Sequence, residues 1–116
     1  MTVPTPVVKP YGWMDGPVAG RVTGKTRVHG WALSDQGEVT KLEILLDGTP
    51  LELAITRFRA PGICAKYPAR AGCPDVGFEG TADFARVPTG EHTLSLRLTD
   101  SAGSCAEIAK RAIVVE

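Results

Sequence analysis

The stretch VHGWALSDQGEVTKLEILLDG, residues 28–48, decides the fold of this chain. Its second half alternates, with Leu42, Ile44 and Leu46 on one face and mostly polar side chains on the other. Successive side chains of a β-strand point to opposite faces, so residues 39–47 are predicted to form a half-buried strand. A helix would need apolar residues at a period of 3.6, which this segment lacks.

The first half of the same stretch predicts another strand and a turn. Residues 28–33 carry bulky side chains on both faces, so this strand is expected to be central or covered on both sides. Gly30 lies inside it, where glycine often marks a bulge or a close approach of two backbones. The Asp-Gln-Gly sequence at 35–37 joins the two strands, because Asp bonds its own backbone and Gly accepts positive φ.

Further strands follow on both sides of this centre. Asp47-Gly48 is a two-residue hairpin signal and leads into an alternating run at residues 51–56. The cleanest alternation is EHTLSLRLTD, residues 91–100, with its leucines on one face. Three other segments have strand patterns: residues 18–23, 78–84 and 105–115, the last with a phase shift that predicts a β-bulge. About seven strands with frequent turns predict an antiparallel β-sandwich.

Length and charge narrow the class of protein. The chain has 116 residues, which suits one domain, with a Pro-rich linker or edge segment expected at residues 1–14 and the sandwich at 15–116. Its 13 basic and 13 acidic residues balance, whereas binders of nucleic acid or anionic membranes are usually basic. We therefore expect no nucleic-acid partner. The sequence contains no run of 18 apolar residues, so membrane insertion is not predicted.

Residues 57–77, RFRAPGICAKYPARAGCPDVG, form a long segment without clear periodicity. We predict a disulfide between Cys64 and Cys73 within it, which would contribute roughly 2–3 kcal/mol on the loop-entropy model. Such a bond implies an oxidising compartment, and the third cysteine, Cys105, is then expected to be a free, buried thiol. The alternative is three reduced thiols in a cytosolic protein.

Several side chains are candidates for binding. Trp13, Trp31 and Tyr67 could form an aromatic platform for a sugar ring, with Arg59 or Asp75 as polar partners. The long loop is also locally basic, and its cationic residues could recognise a carboxylate-bearing polysaccharide: Arg57, Arg59, Lys66 and Arg70. The alternatives are that the aromatic residues close one end of the core and that the arginines form a solvated rim.

No catalytic or metal-binding motif is found. Neither of the two histidines, His29 and His92, has a nucleophile or a second metal ligand at the spacing of a known motif. Neither a GxSxG motif nor a phosphate-binding loop occurs. We expect no enzyme activity, no cofactor and no metal. Four aspartates in turns are expected to cap those turns, and calcium binding is the alternative: Asp35, Asp47, Asp75 and Asp100.

The motifs in order are PYGWMDGP, GWA followed by Asp35, the Asp47-Gly48 hairpin, YP in a loop that ends in GF, and PTGEHTLSLRLTDSAG. This series resembles bacterial immunoglobulin-like modules of large secreted and cell-surface proteins, from about Tyr11 to Val115. Ser34 and Cys105 depart from the usual pattern. The resemblance implies an immunoglobulin-like sandwich without catalytic residues, whose relatives space or support neighbouring domains and in some cases bind carbohydrate or protein.

The predicted function is a non-catalytic structural or interaction module of a larger bacterial extracellular or surface protein. The N-terminus lacks a signal peptide's apolar core, so we expect a module of a longer exported chain, with a cytoplasmic protein as the alternative. Neighbouring domains are the expected partners, and the module is expected to be a monomer or weak dimer. A carbohydrate-binding module is the alternative function, and it requires two aromatic side chains exposed on a common face. A third hypothesis, dimerisation through an open edge strand, predicts a dimer in solution.

Overall fold

The computed structural model describes residues 9–68 and 72–116, which consist almost entirely of β-strands. The strands are β1 (Tyr11–Gly16), β2 (Gly20–Val22), β3 (Lys25–Leu33), β4 (Val39–Leu46), β5 (Thr49–Pro50), β6 (Ile55–Phe58), β7 (Gly77–Asp83), β8 (Gly90–Asp100) and β9 (Cys105–Val115). One short helix, α1 (Pro61–Lys66), and a 3₁₀ turn (Phe84–Arg86) interrupt them.

The strands form two sheets that pack face to face. The four-stranded sheet has the order β1-β3-β7-β6 and the five-stranded sheet the order β2-β9-β8-β4-β5. All pairs are antiparallel except β2 with β9. The predicted all-β, immunoglobulin-like antiparallel sandwich is therefore confirmed, with nine strands in the described residues where about seven were predicted.

The core forms where the alternating residues of the two sheets meet. On β8, Leu94, Leu96 and Leu98 are fully buried, and each lies opposite an aliphatic residue of β4. Phe78 of β7 and Met14 of β1 supply the largest side chains from the other sheet, and both are fully buried. The alternation in the sequence thus corresponds to the inner faces of the sheets.

The strand predicted at residues 51–56 is wrong for residues 51–54 and correct for Ile55 and Thr56. β5 ends at Pro50, and residues 51–54 lie outside the strands, although the N–H of Leu51 still donates a 2.8 Å hydrogen bond to the carbonyl oxygen of Ile44. β6 (Ile55–Phe58) belongs to the four-stranded sheet. Leu51 and Leu53 pack against the core while the chain crosses from one sheet to the other. The alternating pattern here results from alternate burial of side chains at the edge of the sandwich. A strand within one sheet would give the same sequence pattern, so the two cannot be distinguished from the sequence.

The first part of the chain makes a similar crossing. β1 lies at the edge of the four-stranded sheet, and β2 lies at the edge of the five-stranded sheet. β1 includes residues on both sides of the predicted boundary between residues 14 and 15, and residues 1–8, most of the predicted linker, lie outside the described residues. The strand expected at residues 18–23 is shorter, Gly20–Val22.

The bulge predicted in the last strand is confirmed. The register of β8 against β9 shifts between Leu94 and Leu96, and Ala109 on β9 has a φ of 57°. A positive φ is uncommon for a residue with a Cβ, and it changes which face of the strand the following side chains occupy. As a result, Ile108 and Ile113 both pack into the core although they are five positions apart and would point to opposite faces of a regular strand.

A buried carboxylate joins two turns at one end of the sandwich. Asp100 accepts hydrogen bonds from the side chains of Ser34 and Gln36, at 2.8 and 2.9 Å, and from the backbone N–H groups of Ala102 and Ser104, both at 3.0 Å. Burial alone would raise the pKa of Asp100, but these hydrogen bonds outweigh it and the pKa lies below its ordinary value. This aspartate caps a turn, the role expected for it.

The hairpin at Asp47-Gly48 carries a second polar cluster. Both residues have positive φ, 51° and 84°, as a type I′ turn requires. The Asp47 carboxylate lies 2.6 Å from Nδ1 of His92 and accepts a 2.8 Å hydrogen bond from the N–H of Thr93. The other ring nitrogen of His92 lies 2.7 Å from the carbonyl oxygen of Pro88, so both ring nitrogens face acceptors.

We predict that this cluster makes stability depend on pH. The hydrogen bond with Asp47 and the bond to Pro88 raise the pKa of His92, so its contribution is complete below about pH 6.5 and is lost as pH rises through the raised value. The bonds from His92 and Thr93 lower the pKa of Asp47, so its contribution is present above about pH 4 and is lost as pH falls through the lowered value.

The measurement is the melting temperature of the wild type minus that of His92→Gln as a function of pH. The difference is expected to be largest near pH 5 and to shrink above neutral pH, because glutamine cannot carry the proton. His29→Gln is the matched control for loss of an imidazole, since His29 and His92 are the two histidines of the chain. A difference that stays constant from pH 5 to pH 9 would contradict the prediction.

Candidate functional site

The register of the four-stranded sheet places aromatic side chains in a row on its outer face. Trp13 of β1 lies opposite Trp31 of β3, Trp31 lies opposite Gly77 of β7, and Gly77 lies opposite Phe58 of β6. Directly opposed residues point to the same face of a sheet. We call Trp13, Trp31 and Phe58 the aromatic row. It crosses four strands, a width of about 14 Å.

The absence of a side chain at Gly77 leaves room for the ring of Phe58 on the outer face of β7. A Cβ at this position would overlap the ring of Phe58, so the ring covers the glycine. Any larger residue at 77 would lift Phe58 off the sheet. The ring of Phe58 thus occupies the outer face of β7 at the point where that strand contributes no side chain.

Two tyrosines pack against the middle of the row. The ring of Tyr67 stacks on Trp31, with centroids 5.7 Å apart and an interplanar angle of 30°. Tyr11 contacts Trp31 edge-on at 6.4 Å and lies 5.4 Å from Tyr67, and its hydroxyl donates a 2.7 Å hydrogen bond to Asp35. Trp31, Tyr67 and Tyr11 are all partly exposed.

Trp13 ends the row at the edge of the sheet. It is 50 % exposed, the most exposed aromatic side chain in the described residues. The guanidinium of Arg111 lies 5.1 Å from its ring centroid, a cation–π distance. Arg111 also donates to the carbonyl oxygens of Ala109 and Pro17, so it fastens the crossing between β1 and β2. Burial lowers the pKa of Arg111, and Asp15 partly opposes that effect.

Polar side chains lie directly beside the aromatic row. His29, Glu79 and Thr56 occupy the next row of the sheet, and Arg27 and Thr81 the row after it. Arg27 donates two hydrogen bonds to Glu79, at 2.7 and 3.0 Å. We call the open depression here the polar trough. It has a volume of about 450 Å³ and is lined by Arg27, Ala54, Thr56, Glu79, Gly80 and Thr81.

The described residues of the loop at 57–77 connect β6 and β7 at the ends of these strands that lie away from the trough. It contains α1, which begins with a proline in its first turn and buries no side chain. The base of the loop is closed by the N–H of Ala60, which donates a 2.8 Å hydrogen bond to the carbonyl oxygen of Pro74. Cys64 and Cys73 form the predicted disulfide, with their Cα atoms 6.0 Å apart.

The basic residues predicted as binding candidates separate in the structure. Arg57 is partly buried and donates a 3.2 Å hydrogen bond to the carbonyl oxygen of Gly77. Burial lowers the pKa of Arg57, opposed by the charges of Glu38 and Asp75. Arg59, Lys66 and Asp75 are exposed, and Arg70 lies outside the described residues. Arg57 therefore braces the loop against β7.

Of the predicted candidates, Trp31 and Tyr67 are brought into contact, and Trp13 lies on the same face. Sequence inspection missed the polar residues beside them. A signal was present in β3, where Arg27, His29 and Trp31 follow each other at a spacing of two and so share a face. Glu79 and Thr81 of β7 have the same spacing, but only pairing with β3 places them next to Arg27 and His29.

Cys105 corrects one expectation. It is exposed, where a buried thiol was predicted. It begins β9 opposite Thr99, at the end of the five-stranded sheet where the chain has just left the turn at residues 101–104.

Among the residues at 9–68 and 72–116, no group of three histidine, cysteine or acidic side chains is placed to hold a metal ion. None of the helices in these ranges has the length and apolar character needed to cross a membrane.

Removal of the disulfide is predicted to lower the free energy of unfolding by about 2–3 kcal/mol, because it closes a loop between cysteines that are 9 positions apart in the sequence, and the unfolded chain gains that loop's freedom. The variant is Cys64→Ser/Cys73→Ser, measured by urea denaturation. Cys105→Ser is the matched control, since this exposed thiol closes no loop. Equal midpoints for the double variant and the wild type would contradict the prediction.

Comparison with known proteins identifies the class of fold and no particular family. No protein-family model matches the chain, and no curated protein matches it. Among solved structures, it is similar to the fibronectin(III)-like modules of CbhA from Clostridium thermocellum, with a TM-score of 0.63 and 15 % identity over 95 % of this chain and 48 % of that one.

Two further solved structures share the fold. The endo-β-1,4-mannanase from Thermotoga petrophila gives a TM-score of 0.62 at 12 % identity, over 96 % of this chain and 20 % of that chain. The SrpA adhesin from Streptococcus sanguinis gives 0.52 at 20 % identity, over 99 % of this chain and 60 % of that chain. The chain thus spans less than two thirds of each of these proteins, and identities this low show the fold alone.

Proposed function

We propose that this chain is a non-catalytic, immunoglobulin-like module of a larger bacterial extracellular or surface protein, which holds neighbouring domains at a fixed separation. The observation that carries the proposal is the position of the first and last strands. β1 begins at Tyr11, opposite Leu33 at the end of β3. The C-terminal residue Glu116 bonds to Val22, just before β3 begins. Tyr11 and Glu116 therefore lie at opposite ends of β3, a nine-residue strand about 27 Å long.

This arrangement suits an end-to-end array of modules. A chain that continues before Tyr11 and after Glu116 would leave the sandwich in opposite directions, so the sandwich acts as a rigid spacer. The disulfide supports an oxidising, extracellular location. The structurally similar fibronectin(III)-like modules and the adhesin are parts of longer chains, which supports neighbouring domains as the partners.

The spacer role is tested by placing the module between two fluorescent proteins and measuring the distribution of distances between them by time-resolved energy transfer. We expect a narrow distribution that does not change in 1 M salt. The control replaces the module by a Gly/Ser linker of the same mean length, which gives a broad distribution. A distribution as broad as that of the linker would overturn the spacer role.

Export is tested separately by the state of the cysteines. Protein purified without reductant is alkylated under denaturing conditions and its intact mass is measured. One blocked thiol without reductant and three with it are expected, because Cys105 is free and the other two cysteines are bonded. Three blocked thiols without reductant would contradict the extracellular location.

Carbohydrate binding is the second candidate function. It is supported by the location of both tryptophans of the chain on one sheet face, with Trp13 half exposed and Trp31 partly exposed. Two aromatic side chains on a common face meet the requirement for a sugar platform. The long loop at residues 57–77, which carries Tyr67, also carries two exposed cations, Arg59 and Lys66.

A further inference from the structure

We propose that the outer face of the four-stranded sheet, from the aromatic row to the polar trough, binds a neutral, extended β-1,4-linked polysaccharide. The inference rests on carbohydrate binding, the second proposed function, and assigns it a surface and a substrate class. It places the sugar on the strands at His29, Arg27 and Glu79 rather than on the basic loop.

The aromatic row supplies the apolar half of the site. A pyranose ring has one face of C–H groups that packs on an aromatic ring, as other amphipathic rings do. Trp13 is half exposed on the outer face, and Arg111 covers its ring from the edge of the sheet. Trp31 is partly exposed beside it, with Tyr67 stacked on its ring. Trp13 is therefore the stacking platform, on the part of its ring that Arg111 leaves open, because the ring of Trp31 is already stacked on Tyr67.

The polar trough supplies the hydrogen-bonding half. The rows are about 7 Å apart, two residues along a strand, so one sugar ring stacked on the aromatic row directs its hydroxyls towards the next row. There the side chains of Arg27 and Glu79 are 57 % and 43 % exposed and form a fixed donor and acceptor pair. Sugar hydroxyls both donate and accept, and a paired arginine and carboxylate offer both functions to adjacent hydroxyls.

The charges of the trough select for a neutral polymer. Arg27 and Glu79 compensate each other, so the trough offers an acidic sugar no uncompensated cation. His29, Thr56 and Thr81 complete the two polar rows with further hydrogen-bonding side chains. The trough is an open depression on the face of a sheet, two to four residues along β3 from Trp31, and an extended, ribbon-like β-1,4 chain follows such a surface better than a coiled α-linked one.

The experiment is a titration with cellohexaose, followed by intrinsic fluorescence and by calorimetry. Trp13 and Trp31 are the two tryptophans of the chain, and both lie in the aromatic row, so their emission reports on this surface. We expect a saturable change with cellohexaose and none with an oligogalacturonate of the same length. Trp13→Ala and Arg27→Met are each expected to weaken binding by about tenfold, the loss of one stacking or paired hydrogen-bond contact.

Matched variants keep the test decisive. Lys41→Met removes an exposed cation from the five-stranded sheet and is expected to leave affinity unchanged. Trp13→Tyr keeps an aromatic platform and is expected to retain most of the affinity if Trp13→Ala does not fold. Arg27→Met removes only an exposed ion pair, which contributes little to stability.

Each other outcome overturns the proposal in a distinguishable way. Loss of binding in Arg59→Ala but not in Arg27→Met would place the sugar on the loop, so carbohydrate binding would stand and this surface would be wrong. Stronger binding of oligogalacturonate would make the substrate class wrong. No saturable change with either oligosaccharide would remove carbohydrate binding, and the spacer role would be unaffected.

Discussion

Phe78→Ala is expected to lower the free energy of unfolding by about 3–5 kcal/mol, the usual loss for truncating a buried phenylalanine. Phe78 lies at the centre of the four-stranded sheet, points inward and is fully buried. Its removal exposes no new surface to solvent and leaves a cavity between two sheets that are held in place by their own hydrogen bonds. The sheets cannot close on the cavity without breaking these bonds, so the cost is at the upper end.

The measurement is urea denaturation of the purified variant at neutral pH. Domains of this size have a total stability of about 5–15 kcal/mol, so the alanine variant could be largely unfolded. Phe78→Leu, which keeps most of the side-chain volume, is the second variant and is expected to lose clearly less than Phe78→Ala. Val114→Ala, at an exposed position of β9, is the matched control with an expected change within about 0.5 kcal/mol. A loss below 1 kcal/mol for Phe78→Ala would contradict the described core.

Gly30→Ala is expected to cost about 3 kcal/mol, because overpacking here involves the backbone and a ring at once. A Cβ at Gly30 would lie 2.0 Å from the carbonyl oxygen of Trp13 and 2.9 Å from Cζ of Phe78. The carbonyl belongs to the ladder between β1 and β3, so the clash cannot be relieved by rotating a side chain. β1 must move away from β3, which disturbs the aromatic row on the other face.

Gly62→Ala is the matched control for the same chemical change. Nothing lies within 4 Å of the Cβ it would add, and Gly62 is in α1, where alanine is the better helix former by about 1 kcal/mol. The control is therefore expected to be neutral or slightly stabilising. In the Phe78→Leu background the cost of Gly30→Ala should fall but persist, because the clash with the Trp13 carbonyl remains. Equal stabilities of Gly30→Ala and Gly62→Ala would overturn the close approach of β1 and β3.

The sequence predicted the class of fold well because the strongest signals are local. Alternation in residues 39–47 and 91–100 follows from the two faces of a strand, and both segments are strands paired with each other. The Asp47-Gly48 hairpin and the pairing of Cys64 with Cys73 depend on a few adjacent residues or a short loop. The bulge in the last strand was visible as a break in alternation within a single segment.

The sequence failed where one pattern has two structural causes. Leu51 and Leu53 alternate because the chain crosses the edge of the sandwich, and a strand inside one sheet would give the same pattern. Cys105 was expected to be buried as a small apolar side chain, but its position at the end of a sheet exposes it. Neither outcome depends on the residue itself, since each is set by where the neighbouring strands end.

By itself, then, the sequence determined an all-β sandwich, its Asp47-Gly48 hairpin, its disulfide and the residue types available for binding. Only the tertiary structure decided which of these residues meet. Trp13, Trp31 and Phe58 come from three strands separated by long stretches of chain, and the row exists because β1, β3, β7 and β6 pair in one register. A shift of one residue in any pairing would turn that strand's side chains to the opposite face, and register is fixed by the packing of the whole core.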